Sequence, residues 1–179
     1  SLVHDDLPAM DDDAYRRDRL TVHMQYREDV AILVGDALLN KAYEIMLEEI
    51  TRSIDLYEMK NNALAAKAIA TFAGVDGMIG GQVLDVLEAS VSSQDIISMY
   101  EKKTCGLIMA ATVSAAYLTG SDEKTVKDMT RLGWLIGLCF QLQDDILDEK
   151  KDSEIGKITF IHFEGKEKTE ETINTFTQE

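Results

Sequence analysis

The sequence predicts an all-α fold, and three observations predict it. Its 179 residues contain a single proline, Pro8, where β-rich chains use several in their turns. Apolar residues recur at helical spacing over long stretches. No segment alternates apolar and polar residues with β-branched enrichment between turn signals. A chain of this length is large enough for one domain with a substantial core, and no internal repeat or low-complexity linker divides it.

The elements follow in order. Ser1–Val3 read as the end of an apolar helix that carries His4-Asp5-Asp6 on its last turn, and Pro8 interrupts it. Asp11–Arg19 is a densely charged connection. Val30, Leu33, Val34, Leu38, Ala42, Ile45 and Met46 predict a helix from about Glu28 to Ile50. A second helix covers Asn62–Ala73 and stops at Gly74, a third covers Met78–Leu87 around Gly80-Gly81, where two glycines point to close helix approach or a helix start. Ser92 or Ser93 caps a long helix that runs to Leu118 and ends at Gly120. Ser121 caps the last long helix, which reaches about Asp148.

Composition excludes some partners. The net charge of -15 argues against nucleic acid and anionic membrane surfaces. It leaves an anionic small substrate open, because bound Mg²⁺ reverses the local sign. The longest apolar stretches read from the sequence, Leu107–Leu118 and Leu132–Leu142, fall short of the roughly 20 residues of a membrane span. Cys105 and Cys139 lie inside apolar helical patterns and form no zinc motif, which points to a reducing, cytoplasmic setting.

Two carboxylate clusters carry the chemistry. Asp144 and Asp148 share a helix face, Asp145 lies one step around it, and Gln141 lies one turn earlier. Carboxylates crowded at a helix C-terminal end oppose one another and the helix dipole, so a bound cation is the natural compensation and a solvated acidic helix end is the alternative. Oxygen donors alone point to Mg²⁺. In the first cluster the Pro8 turn is what brings Asp11 back towards Asp5, with Asp6, Asp12 and Asp13 beside them. Arg16-Arg17 follow at once, and guanidinium forks fit phosphate oxygens. A calcium loop counted from Asp11 fails, because Arg16 and Val22 stand where Gly and Glu are required. No Glu stands three residues before His4, His23 or His162, so a di-iron bundle drops out.

His4-Asp5-Asp6-Leu7-Pro8-Ala9-Met10-Asp11 through Arg17 resembles the first Asp-rich motif of the trans-isoprenyl diphosphate synthases, in its DDxxxxD form. Gly137 through Gln141, Asp144, Asp145 and Asp148 resembles the second. Thr21-Val22-His23, Gly35-Asp36, Gly80-Gly81-Gln82 with Asp85, and Lys103-Thr104 match the intermediate signatures in order. The resemblance implies an isoprenoid-synthase-like helical bundle around a central cavity. It implies a farnesyl- or geranylgeranyl-type prenyltransferase that joins isopentenyl diphosphate to an allylic diphosphate by metal-assisted ionisation, generally as a homodimer. A non-catalytic regulatory subunit of such a synthase is the alternative, and intact Asp motifs weigh against it.

The resemblance also implies roles. Asp5, Asp6, Asp11, Asp144, Asp145 and Asp148 would hold three Mg²⁺ ions. Arg16, Lys103 and Lys157 would contact the allylic diphosphate, and Arg17 the isopentenyl diphosphate. Thr104, Gln82, Asp85, Phe140 and Gln141 would line or tune the site, with Lys103, Asp85 and Gln141 nearest the chemistry. Departures from the pattern are Asp18 and Leu20, where the family commonly has Gly and Pro, and the direct join of Gly156-Lys157 to Ile158. The upstream segment that binds isopentenyl diphosphate has no match. The expectation is one synthase domain, incomplete at both ends and near 157–158, whose sequence does not decide between C15 and C20 products.

Overall fold

A computed structural model describes residues 2–87, 91–154 and 156–179. By contact the chain divides into two compact units, Ser1–Ser53 and Ile54–Glu179. The architecture is all-α, as the sequence predicts.

In the first unit, α1 (Leu2–Asp5) ends just before the Pro8 turn. Two strands of two residues each, β1 (Tyr15–Arg16) and β2 (Arg19–Leu20), then pair antiparallel. The hairpin between them holds Arg17 and Asp18 at φ 52° and 62°, the left-handed region that side chains enter reluctantly. Helix α2 (Val22–Tyr26) and α1 both pack on the long α3 (Glu28–Arg52). The strand pair is the one element type the sequence does not predict; two-residue strands are too short to show alternation.

The second unit begins with α4 (Leu56–Ala73), six residues ahead of the expected start. Its cap is Asp55, whose side chain accepts from the Glu58 amide at 2.8 Å, while Glu58 reaches back to the Ile54 amide at 2.7 Å. Then come α5 (Met78–Val86) and α6 (Ser93–Tyr100). Ser92, not Ser93, caps α6, its hydroxyl accepting from the Asp95 amide. One π-helical turn, Glu101–Cys105, joins α6 to α7 (Gly106–Leu118), so the long helix read from the sequence is continuous but carries a bulge. Helix α8 (Glu123–Glu154) is capped by Asp122 rather than Ser121 and runs about six residues past Asp148. Short α9 (Phe160–Glu164) and α10 (Lys166–Gln178) close the chain.

Helix α7 is sandwiched between α4 and α8. The core of this unit is a cluster of Ile96, Met99, Tyr100, Cys105, Met109, Leu138, Leu142 and Phe160. It draws on α6, the π turn, α7, α8 and α9, and it fixes how those elements meet. Both cysteines are free thiols, and burial pushes Cys105 up to about 12, so it is an inert core residue. Among the described residues one stretch, Leu56–Val86, is long and apolar enough to cross a membrane by length and composition. The turn at 74–77 breaks it into α4 and α5.

Candidate active site

The first Asp-rich region is built by a tight reversal. Pro8 ends α1, and the chain folds back so that the Asp11 amide donates to the Asp5 carbonyl at 3.0 Å. The Met10 and Asp12 amides both donate to the Leu7 carbonyl, at 2.8 and 3.1 Å. Asp11 is thus returned beside Asp5, as its spacing requires. Asp5 is half-buried and Asp11 exposed, whereas Asp6 is only 4% exposed. Arg16 explains the difference: its Nε donates to Asp6 Oδ1 at 2.5 Å, its Nη2 forms an ion pair with the same oxygen at 2.5 Å, and Nη2 lies 3.5 Å from Asp13 Oδ2. Burial pulls the Arg16 guanidinium down, but the bond and charge of Asp6, with Asp13 and Asp5, outweigh it and raise its pKa. Arg16 therefore turns its fork onto the protein, while Arg17, in the hairpin, is exposed.

Behind the loop sits buried Thr21, whose hydroxyl donates to the Asp13 carbonyl at 2.7 Å. A hydroxyl has one hydrogen, so His23 Nδ1, 3.2 Å away, must donate to Thr21 Oγ1. That leaves His23 Nε2 buried without a hydrogen-bond partner among the described residues, 3.9 Å from Asp12 Oδ1. Tyr15, by contrast, is 66% exposed.

The second region sits on α8, where Asp144 is exposed, Asp148 half-buried and Asp145 only 2% exposed. Asp145 is held from three sides. Tyr100 donates its hydroxyl to Oδ2 at 2.7 Å, the Phe160 amide donates to the same oxygen at 3.3 Å, and Gln141 Nε2 reaches Oδ1 at 3.4 Å. Burial raises the Asp145 carboxyl to about 6, against the lowering effect of those three donors and of Lys157. Burial first, then Asp145, also raises the Tyr100 phenol, which stays a donor. Gln141 in turn accepts from Thr104 Oγ1 at 2.8 Å.

The π turn presents Lys103 and Thr104 to this set. Lys103 pairs with Asp85 of α5, both about a quarter exposed. The contact needs glycine: a Cβ on Gly81 would lie 2.2 Å from the Lys103 backbone nitrogen. On the other side, a Cβ on Gly137 of α8 would lie 2.6 Å from Cys105 Cα. So α5 and α8 approach the π turn closely, and Asp85, Lys103, Thr104, Gln141 and Asp145 form one connected group. Gln82 is half-buried on α5, Phe140 is 61% exposed, and Lys157 is exposed past the end of α8.

The six aspartates differ in exposure: Asp6 and Asp145 are buried, and bonded to Arg16 and to Tyr100 and Phe160, whereas Asp5, Asp11, Asp144 and Asp148 are more accessible. Gln141 contacts Asp145, four residues on. Carboxylate oxygens are hard donors that suit Mg²⁺. Among the described residues no three His, Cys, Asp or Glu side chains converge tightly enough to enclose a metal by themselves. A cavity of about 400 Å³ lined by Ile97, Trp134, Leu138 and Phe176 contains none of the candidate site residues.

Sequence reasoning missed Tyr100. A phenol on a core-facing stripe needs a buried acceptor, and that was the available signal.

Known proteins match this arrangement. The polyprenyl synthetase family model covers residues 1–169. A geranylgeranyl diphosphate synthase of Cyanophora paradoxa is 41% identical over 167 residues, 88% of this chain and 54% of that protein. A farnesyl diphosphate synthase of Micrococcus luteus is 38% identical over 160 residues, 88% of this chain and 53% of that protein. The chain spans about half the length of the curated relatives it matches. Among solved structures, an FPP/GFPP synthase from Zymomonas mobilis superimposes with TM-score 0.89 at 32% identity, over 99% of this chain and 62% of that one. A geranyltransferase from Helicobacter pylori, complexed with magnesium and isoprenyl diphosphate, gives 0.82 at 31%, over 99% and 60%. With its two Asp-rich regions and intermediate signatures in order, the chain belongs to the polyprenyl synthetase family.

Proposed function

We propose that the full-length protein is a Mg²⁺-dependent trans-prenyltransferase that extends an allylic diphosphate with isopentenyl diphosphate. The observation that carries this reading is the packing of Lys103 and Thr104, on one π turn, against Asp85 of α5 and Gln141 of α8. It sets a cation and a chain of polar groups beside the carboxylates of α8. An allylic diphosphate needs such a set: charge to hold its phosphates, and fixed dipoles where positive charge develops after ionisation.

Each residue has a task in this scheme. In the first region Asp5 and Asp11, and in the second Asp144 and Asp148, would serve as Mg²⁺ ligands; the metal when bound supplies the charge that weakens the allylic C–O bond. Lys103 and Lys157 neutralise diphosphate oxygens, Arg17 is available to the second diphosphate, and Arg16 acts on Asp6. Thr104 and Gln141, joined by their hydrogen bond, would border the developing cation together with Gln82, Asp85 and Phe140. Asp6 and Asp145 orient their neighbours. Relatives named farnesyl and geranylgeranyl diphosphate synthases support the substrate class, and the magnesium-bound neighbour supports the metal. Free thiols at Cys105 and Cys139 fit a cytoplasmic protein. Exposed Leu33, Leu38, Leu39, Ile45 and Leu47 on α3 fit a homodimer that covers them.

The test is product formation by the full-length protein from labelled isopentenyl diphosphate with dimethylallyl, geranyl or farnesyl diphosphate. Mg²⁺-dependent elongation is expected, and the product's length separates C15 from C20 synthesis. No product with any of the three allylic substrates overturns the proposal and favours a regulatory subunit.

A further inference from the structure

We infer that Tyr100 is a positioning residue for this reaction: through the buried Asp145 carboxylate it locks α6, α8 and the start of α9 in one register. The inference rests on the proposed function for its kinetic consequence but on geometry for its existence. Tyr100 is 4% exposed and ends α6, immediately before the π turn that carries Lys103 and Thr104. Its hydroxyl meets Asp145 Oδ2 at 2.7 Å across 45 residues of chain, and the Phe160 amide takes the same oxygen. The other oxygen faces Gln141, which accepts from Thr104. One carboxylate thus accepts from a side chain of α6, from α8 itself and from the backbone that opens α9.

Three consequences follow from this wiring. Asp145, with its oxygens turned to Tyr100, Phe160 and Gln141, is withdrawn from any ion that its neighbour Asp144 would hold. The Thr104 hydroxyl is oriented at the end of the chain Tyr100–Asp145–Gln141–Thr104, so it depends on a phenol it never touches. The backbone at Phe160, three residues past Lys157, is tied to α8, which limits where that lysine can go. Loss of the Tyr100 hydroxyl leaves a buried acceptor short of a donor and releases this alignment. A misplacement at this distance from the chemistry falls on the rate of the reaction more than on capture of substrate.

The experiment compares Y100F, D145N, the double variant and D144N in the full-length protein. Y100F and D145N are each expected to lower kcat about tenfold while KM for the allylic diphosphate stays within about threefold. The double variant is expected to lose no more than about twentyfold, because both changes cut the same chain of bonds. D144N is expected to raise the Mg²⁺ needed for half-maximal binding of inorganic diphosphate more than about tenfold, with Y100F and D145N within about twofold of the parent in the same calorimetric titration. Losses that multiply to about a hundredfold, an unchanged kcat in Y100F, or a D145N titration that matches D144N each overturn the inference.

A parent protein that makes no product defeats the functional reading instead. The linkage is then read by thermal unfolding, where the double variant is expected to melt within about 2 °C of the less stable single variant. Additive losses of stability overturn it there.

Discussion

The two Asp-rich regions solve one problem by different means. In both, one member of an Asp–Asp doublet is buried and bonded to the protein while its neighbour is left more accessible. In the first, Asp6 is held by a charged partner, Arg16, within a loop that includes left-handed residues at Asp12, Arg17 and Asp18. In the second, Asp145 is held by neutral donors on a regular 32-residue helix. A loop has no inherent register, so it needs a strong directional pair to place its carboxylates; a helix sets register by its own pitch and needs only weak donors. The comparison teaches that the first region is electrostatically braced and the second geometrically braced.

The largest effect expected is common to both. D5A and D144A should each reduce Mg²⁺-dependent turnover by about a thousandfold or more, measured at steady state over a Mg²⁺ titration. Retained activity in either removes that region from the metal site. Next, R16Q should destabilise the protein by about 2–3 kcal/mol in denaturant unfolding, because it leaves the Asp6 carboxylate buried with its charge uncompensated. Indifference to R16Q would erase the contrast between the regions.

The third test exploits the neutral setting of Asp145. Its pKa lies near 6 in the fold against about 3.9 unfolded, so the folded state binds the proton more tightly. Its effect on stability is most favourable below about pH 4 and is lost as pH rises to about 6. In EDTA, D145N should therefore gain about 2 kcal/mol relative to the parent between pH 4 and 6.5. A difference that does not change with pH would mean the carboxylate is better solvated than its burial implies. The smallest effect belongs to the hairpin, where D18G should stabilise the protein by about 0.5–1 kcal/mol by relieving a φ of 62°. A loss of stability would show that the Asp18 side chain contributes more than its backbone costs.

Much of this was legible in the sequence because helices announce themselves by period. The expected ends of α3, α5 and α8 lie within a few residues of those observed, apart from α8's charged extension through Glu149–Glu154, which carries little apolar signal. The start of α4 was hidden because Leu56, Tyr57 and Met59 are exposed and do not continue the apolar stripe. Which aspartates are buried was not legible, since Asp6 and Asp145 owe their burial to partners ten and 45 residues away. Helical spacing does place Asp144 and Asp148 on one face, but it says nothing of a phenol arriving from α6. The unusual backbone at Asp18 was foreshadowed by the missing glycine there.

The π turn at Glu101–Cys105 makes chain length itself a determinant of the site. A π turn holds one more residue than an α-helix would use over the same path. Deleting one residue there would let the helix close as regular α over the same path, keeping α6 and α7 in register but removing the bulge that presents Lys103 and Thr104. Tyr100 would then still face Asp145 while Lys103 and Thr104 lost their places beside Asp85 and Gln141. Alignment here is kept by a residue count, so a one-residue deletion at 101–105 is a heavier lesion than most substitutions of the same residues.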